Sequence, residues 1–518
     1  MTGIWETERN SMMMKNNKRI ICAVLLCALA LAVPGCGGTP AYGGQEPEEG
    51  TVDDKMNGEY QQMEGVDFNN GFYNPIKDDH MLGDPWMVQH DGYYYYTQSG
   101  GNHIVVLRSR TITGISAGAE KEIWNISNSD NLTEIWAPEL HYYDGSWYCY
   151  FTARMDRKDE LRRIFVLKAR TEDPLGEWDF IGKLELPQDQ WAIDATFMEH
   201  EGKLYLLWSG WKDVSEGPGV WKQNIYICEL EDPVTVRKGT DRVKLTGPEY
   251  SWETVQFPQT EGPEILKSPD GKVFCIYSAS FSKSDSYCLG MLELTGDPMN
   301  AGDWIKSTEP VFASNPEEAV YSPGHCSFVK SPDQTQDWII YHAAKDAGAG
   351  WDRSARAQKF SFDGDGRPVF CSPCSLDTQN ELPSGEKVVR RLYEAEDGEM
   401  NQAQVRQQTG ASGGKLVALP ESDSALTFHI SVPEAGSYAA YVRYSNQVPM
   451  QAGAFITVNA GKFEQRLFER CPSAGGKEYG LSVTQISLDL QKGENTILFE
   501  GARDILLDCL ILEKKEEG

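Results

Sequence analysis

Five stretches of this 518-residue chain repeat one pattern: a short strand, a polar turn, then an aromatic or β-branched strand. Residues 84–99 read DPWMVQHDGYYYYTQS, 137–153 APELHYYDGSWYCYFTA, and 194–209 DATFMEHEGKLYLLWS. Residues 261–280 read EGPEILKSPDGKVFCIYSAS and 325–344 HCSFVKSPDQTQDWIIYHAA. Four of the five turns carry Asp-Gly or Glu-Gly, dipeptides suited to the left-handed backbone of a tight hairpin. The fifth, KSPDQTQDW, lacks the glycine, which predicts a longer or irregular hairpin. Successive starts lie 53, 57, 67 and 64 residues apart, with almost no helical patterning between them. Hairpins recurring at such an interval point to a propeller, whose blades use four strands each. The expectation is an all-β chain with a five-bladed β-propeller over residues 68–372. The competing arrangement is a β-sandwich whose hairpins resemble one another by accident.

In a propeller the first strand of each blade lines the axis, and its leading residue points into the funnel mouth. Those positions hold Asp84, Ala137, Asp194, Glu261 and His325. Three carboxylates and an imidazole around one pocket repel or perturb one another, so stability alone does not favour them. Together, at one phase of a repeat, they mark a site. Carboxylates facing across a sugar-sized pocket suit glycoside hydrolysis, where one stays protonated to donate and another is ionised to activate water. A third nearby carboxylate raises the acid's proton affinity.

The ordered set Asp84-Pro85, WAPEL (136–140), IDATF (193–197), EGPEI (261–265) and GHCSFV (324–329) resembles glycoside hydrolase family 43. RSARAQKFSFDGDGRPVF, residues 353–370, resembles that family's closing segment. The resemblance implies Asp84 as general base, Asp194 as modulator of proton affinity and Glu261 as general acid, with inversion as the outcome. It gives His325 two readings: anchor of a hydrated calcium or other ion on the axis, or a hydrogen bond to the pocket floor. Arg356 is expected to orient a carboxylate or a substrate hydroxyl, against the alternative of a surface salt bridge. Sugar rings stack on aromatics, and Trp86 and Trp136, beside the axial positions, are the expected stacking residues.

After residues 373–391, expected as a linker, the pattern changes. Residues 392–518 carry short strands such as ALTFHISV, GSYAAYVRYS and NTILFEG, which predict a β-sandwich, jelly-roll-like in form. LYEAEDGE, KGENTILFEG and DILLDCLIL resemble carbohydrate-binding modules of family 6 or 35. That resemblance implies a structural calcium held by Glu394, Glu396 and Asp508, with charged strand caps as the alternative. The region has no Trp, so sugar binding lacks its usual platform; Tyr479 is the remaining loop aromatic.

The N-terminus reads as an address rather than a fold. A basic start at Lys15, Lys18 and Arg19 precedes an apolar run to Val33, which ends in Val-Pro-Gly-Cys. This resembles a bacterial lipobox with Cys36 as the lipidated residue, so residues 1–36 are expected as a leader and 37–67 as a flexible acidic tether. An ordinary signal peptide is the alternative. A net charge of −29 argues against nucleic acid and anionic lipid as partners. Of twelve cysteines, three lie in the leader, and the rest are irregularly spaced. Cys149, Cys228 and Cys275 read as small buried hydrophobes, and Cys371-Ser-Pro-Cys374 as structural, since no second metal-ligand pair accompanies it.

The sequence thus predicts a secreted, lipid-anchored, monomeric exo-acting glycosidase outside a bacterial cell membrane. Its substrates would be arabinose- or xylose-containing polysaccharides, with α-L-arabinofuranosidase activity favoured. β-Xylosidase is the alternative within the scaffold, and a non-catalytic glycan-binding protein the alternative outside it.

Overall fold

The computed structural model describes residues 62–78, 83–129, 131–446, 448, 452–461, 463–473, 480–501 and 504–516. The leader, the Cys36 lipobox, most of the acidic tether and Tyr479 lie outside the described residues.

Five antiparallel sheets follow one another along the chain, each with four strands in sequence order; the third adds Val243–Thr246. Their first strands are Gly83–His90, Leu132–Tyr143, Ala192–His200, Thr260–Lys267 and Tyr321–Lys330. Each contacts the first strand of the sheet before and after it, and the fifth contacts the first, so the strands close a ring. This is a β-propeller arrangement. Side chains close the ring where the fifth sheet meets the first. Ser327 Oγ accepts from the Met87 amide at 2.9 Å, and Tyr94 donates to the Lys330 carbonyl at 2.7 Å.

Local sequence accounts for the hairpins. Asp91-Gly92, Asp144-Gly145 and Glu201-Gly202 all have positive φ at both residues, the backbone of a two-residue type I′ turn. The flanking pairs His90↔Tyr93, Tyr143↔Ser146 and His200↔Lys203 confirm the two-residue spacing. In the fourth hairpin Asp270-Gly271 sits in a longer turn between Lys267 and Val273. The fifth spans Lys330 to Asp337, and Gln334 takes φ +64 where glycine is lacking.

Each interface between neighbouring sheets has its own apolar core. Trp147 and Phe151 fill the first-to-second interface, Tyr150 and Trp208 the second-to-third, and Tyr277 and Ile227 the third-to-fourth. Phe274 and Tyr341 fill the fourth-to-fifth, and Tyr96 and Trp338 the fifth-to-first. Burying an aromatic or branched side chain contributes roughly 1.5–3 kcal/mol, so radial stacking makes the ring a stable platform. Cys149, Cys228 and Cys275 lie in these cores as free thiols.

Beyond the ring, a seven-stranded and a five-stranded sheet enclose a further core that includes Phe428, Tyr444, Phe468 and Phe499. Among the described residues, parts of the segments expected as linkers lie in strands. Val66–Asp67 pairs with Arg390–Glu394 of the seven-stranded sheet, and Gly71–Tyr73 pairs with Gln379–Glu381. Entry to and exit from a ring lie side by side, so the two segments meet and satisfy each other's backbone groups. The C-terminal region also packs on the ring. Arg390 joins Glu513 at 2.9 Å and Thr113 at 3.0 Å, and the Gln485 side chain reaches the Asp78 amide, Ser116 Oγ and Pro75 carbonyl.

Candidate active site

Each first strand breaks its pairing register near its start, twice in the second and fifth, where Glu134 (φ +54°) and Ser322 (φ +53°) mark the extra break; at the break common to all five one residue takes a left-handed backbone. These residues are Asp84 (φ +57°), Ala137 (+41°), Asp194 (+53°), Gly262 (+52°) and His325 (+41°). A left-handed bulge turns its side chain away from the regular alternation, which is how such features re-aim residues at a site. The structure corrects the expected phase in the fourth sheet: the bulge position is Gly262, and Glu261 precedes it, still paired with Ser278. Glycine suits that position because a β-carbon there would press on the His325 ring at 3.1 Å.

Side chains on the second strands latch four of these bulges to the neighbouring sheet. The Ala137 amide donates to Ser99 Oγ at 2.7 Å, Asp194 to Thr152 Oγ1 at 3.2 Å, and His325 to Ser278 Oγ at 2.8 Å. The Asp84 amide donates to His342 Nδ1 at 3.0 Å, again joining first sheet to fifth. The fifth bulge departs from the pattern: the Gly262 amide donates to Asp194 Oδ2 at 3.2 Å. Asp194 is thus fixed by a neighbour's backbone.

Asp84, Asp194 and Glu261 share one electrostatic neighbourhood with His325, although they come from three sheets. Their environments differ. Asp84 Oδ2 accepts from Ser99 Oγ at 2.6 Å, while Oδ1 lies 3.1 Å from His325 Nδ1, 3.7 Å from His342 Nδ1 and 4.0 Å from Arg353. Burial opposes its charge, but His325 and Arg353 together hold its carboxyl well below the usual range. For Asp194 burial wins: despite His325, desolvation with the charges of Glu261 and Asp84 pushes its carboxyl well up. Glu261 is also pushed up by burial, with Asp84 adding to the shift and Tyr287, His325 and Arg353 opposing it. The Tyr287 hydroxyl donates to Glu261 Oε1 at 2.8 Å. His325 is pushed up to about 9, because Asp84 and the other carboxylates outweigh burial. A carboxyl held down at Asp84 beside two pushed up at Glu261 and Asp194 is the separation of proton affinities that acid–base chemistry needs.

Arg356 is not among these neighbours. It is fully buried, donates to the Ala344 carbonyl at 3.3 Å and lies near Tyr341. Arg353, at the start of the same strand, reaches Asp84 instead. The offset of three residues, about 10 Å of strand, separates the mouth from the interior, and the odd number puts the two side chains on opposite faces. Trp86 packs its ring on His141 at 4.7 Å and donates its indole N–H to the Leu140 carbonyl at 2.9 Å. Trp136 has one face covered by the Arg162 guanidinium, 3.1 Å from the ring centre, which Glu134 and Asp159 hold in place. Both tryptophans are half-buried, each packing on one neighbour while part of the ring stays exposed. Ser99, Gly262, Tyr287, His342 and Arg353 went unselected from sequence; for Tyr287, outside every repeated motif, no sequence signal existed.

Deeper on the axis, Glu139, Glu264 and His325 each place a ligand atom within 4.8 Å of the others, the one such cluster of three among the described residues. Glu139 Oε1 and Glu264 Oε1 are buried with no hydrogen-bond partner. Burial and the Glu139 charge push the Glu264 carboxyl well up. Such a donor set takes either a shared proton or a hard cation, with His325 Nε2 as the nitrogen not facing Asp84. In the C-terminal region Glu394 Oε2 and Glu396 Oε2 are likewise buried and unpartnered. Asp508 differs: its carboxylate pairs with Arg443 and accepts from the Ser412 amide at 2.9 Å. Burial, opposed by Arg443, leaves it pushed up to about 7.

A sequence model of the glycosyl hydrolases family 43 matches residues 72–368. The chain is 34% identical to an extracellular exo-α-(1→5)-L-arabinofuranosidase of Streptomyces avermitilis over 58% of its own length and 63% of that protein's. It is 32% identical to α-L-arabinofuranosidase 43 of Humicola insolens over 73% of this chain and 80% of that one. Among solved structures, an α-L-arabinofuranosidase from Lactobacillus brevis superposes with a TM-score of 0.54 at 34% identity, covering 59% of this chain and 98% of that one. The chain therefore spans less than two thirds of the Streptomyces relative.

Proposed function

This chain belongs to glycosyl hydrolase family 43, and from that premise we propose that it is an inverting, exo-acting α-L-arabinofuranosidase that releases terminal arabinose from plant polysaccharide. The names of the Streptomyces, Humicola and Lactobacillus relatives support the arabinose preference. One observation carries the catalytic assignment: the site keeps Asp84 ionised while raising the proton affinity of Glu261 and Asp194. Asp84 accepts a proton from the attacking water. Glu261 donates one to the leaving glycosidic oxygen. Asp194, locked to the Gly262 amide, keeps the backbone beside the acid in place, and the charge of Asp84 adds to the repulsion that favours the protonated acid.

Glu261→Gln tests this. Activity on arabino-oligosaccharides should fall by about 10²–10⁴-fold, with a much smaller loss on aryl glycosides whose leaving groups need little protonation. Near-wild-type turnover of the oligosaccharide would sink the acid assignment. Sugar release from arabinan, arabinoxylan and xylan separates the sugars: xylose as the main product would replace arabinofuranosidase by β-xylosidase, and glycan binding without turnover would make the chain a binder.

The remaining parts of the reading concern architecture and location. The five sheets are read as five blades, and the two C-terminal sheets as a β-sandwich carbohydrate-binding-like module. A calcium at Glu394 and Glu396, with Asp508 beside them, is supported by the two unpartnered carboxylate oxygens; a second cation at Glu139, Glu264 and His325 is supported in the same way. Retarded migration of an inactive Asp84→Asn chain in gels containing arabinan would support sugar binding, and unchanged migration would oppose it. The extracellular relatives support secretion. Lipidation at Cys36 predicts partitioning into the detergent phase that Cys36→Ala abolishes. Sedimentation at one monomer mass is the expected oligomeric state.

A further inference from the structure

Tyr287 lies in the segment before Cys288–Leu294 of the fourth sheet, outside every motif that marks the site. It is fully buried, and its hydroxyl donates to Glu261 Oε1 at 2.8 Å. Its ring stacks on His342, with centroids 5.8 Å apart and planes 16° apart. His342 Nδ1 in turn accepts the Asp84 amide at 3.0 Å. Two stacked rings therefore run from the side chain of the acid to the backbone of the base. The Arg353 guanidinium lies 5.4 Å from the Tyr287 ring centre and 4.0 Å from Asp84, closing the same wall. Gly324 belongs to this arrangement: any side chain there would overlap Cε1 and Cδ1 of Tyr287. Its φ is not left-handed, so close approach of the ring, and not backbone conformation, calls for glycine.

We infer that Tyr287 is the positioning residue of the general acid, fixing Glu261 Oε2 as the oxygen that carries the transferred proton and, through His342, setting the spacing between acid and base. The inference rests on the assignment of Glu261 as acid. A protonated carboxyl whose Oε1 accepts from the phenol keeps its own proton on Oε2. Without the phenol the carboxyl rotates, and either oxygen takes the proton. A fraction of molecules then presents no proton to the leaving group. Asp84, Asp194, His325 and Arg353 face Glu261 from their own sheets, yet among the described residues Tyr287 is the side chain that hydrogen-bonds it. Inversion requires acid and base to stand about 6.5–9.5 Å apart with water between, so a rigid spacer has a direct use.

The test uses the full chain and a series of aryl α-L-arabinofuranosides of graded leaving-group acidity. Tyr287→Phe keeps the ring, the stack and the fit against Gly324. Loss of one hydrogen bond to the acid should lower kcat about tenfold on poor leaving groups and arabino-oligosaccharides, with KM little changed. The best leaving groups should be nearly unaffected, so the dependence of kcat on leaving-group acidity steepens. A purely structural role would lower all substrates alike, and that result, or a wild-type slope, overturns the inference. Gly324→Ala gives a second route: it should reproduce the steepening in the natural background and add nothing in a Tyr287→Ala background, where the ring it displaces is gone. Equal losses in both backgrounds would also overturn it. Glu261→Gln in the same series separates the two claims. A flat response there removes the acid assignment itself, whereas a steep one beside a wild-type Tyr287→Phe removes only the role of Tyr287.

Discussion

Replacing His325 by glutamine probes the electrostatic balance on which the site depends. The imidazole is nearly completely buried, and burial alone would drive off its proton. Asp84 at 3.1 Å, aided by Asp194 and Glu261, reverses this and pushes it up to about 9. An unfolded histidine titrates near 6.5, so the folded state binds the proton more tightly by about 3 kcal/mol. The sign follows. A group whose proton affinity rises on folding contributes its full stabilisation below about pH 6.5 and loses it as pH climbs to about 9. Urea unfolding of the natural chain and of His325→Gln, with chelator present, at pH 6 and pH 10, reads the effect directly. The stability difference between the two proteins should shrink by about 3 kcal/mol from the lower to the higher pH. An unchanged difference would refute the reasoning.

Other perturbations reach separate parts of the structure. Arg353→Gln should lower kcat/KM at least tenfold, while Arg356→Gln should lower the melting temperature and leave kcat/KM within about twofold, since the first reaches Asp84 and the second does not. Gly262→Ala places a side chain at φ +52° against the His325 ring; it should cost about 1–2 kcal/mol and reduce activity, measured by melting and by kcat/KM. Arg443→Met strands the buried Asp508 carboxylate and should cost about 3–5 kcal/mol, with Asp508→Leu added to it restoring most of the loss in urea unfolding. Exhaustive chelation should lower the melting temperature, and a Glu139→Gln, Glu264→Gln chain should lose the part of that response owed to the axial cluster.

What could be read from the chain alone was whatever depends on neighbours in sequence. Asp-Gly and Glu-Gly turns fix two-residue hairpins because positive φ is decided within the dipeptide. The missing glycine at Gln334 foretold the longer fifth turn for the same reason. Repetition of that hairpin brought Asp84, Asp194, Glu261 and His325 to notice together. Tertiary structure decided what depends on facing and depth. In the fourth sheet the left-handed bulge falls on Gly262, with Glu261 one residue before it, and it is the pairing register that shows which of the two holds the equivalent position. Arg353 and Arg356 carry the same side chain three residues apart, and only the direction of the strand from mouth to interior tells them apart. Trp86 and Trp136 lie beside the axial positions in sequence, and only the structure shows which neighbours, His141 and Arg162, share their rings. Tyr287 gains its place from a ring that closes over residues 26 positions away in sequence, a relation that no local pattern encodes.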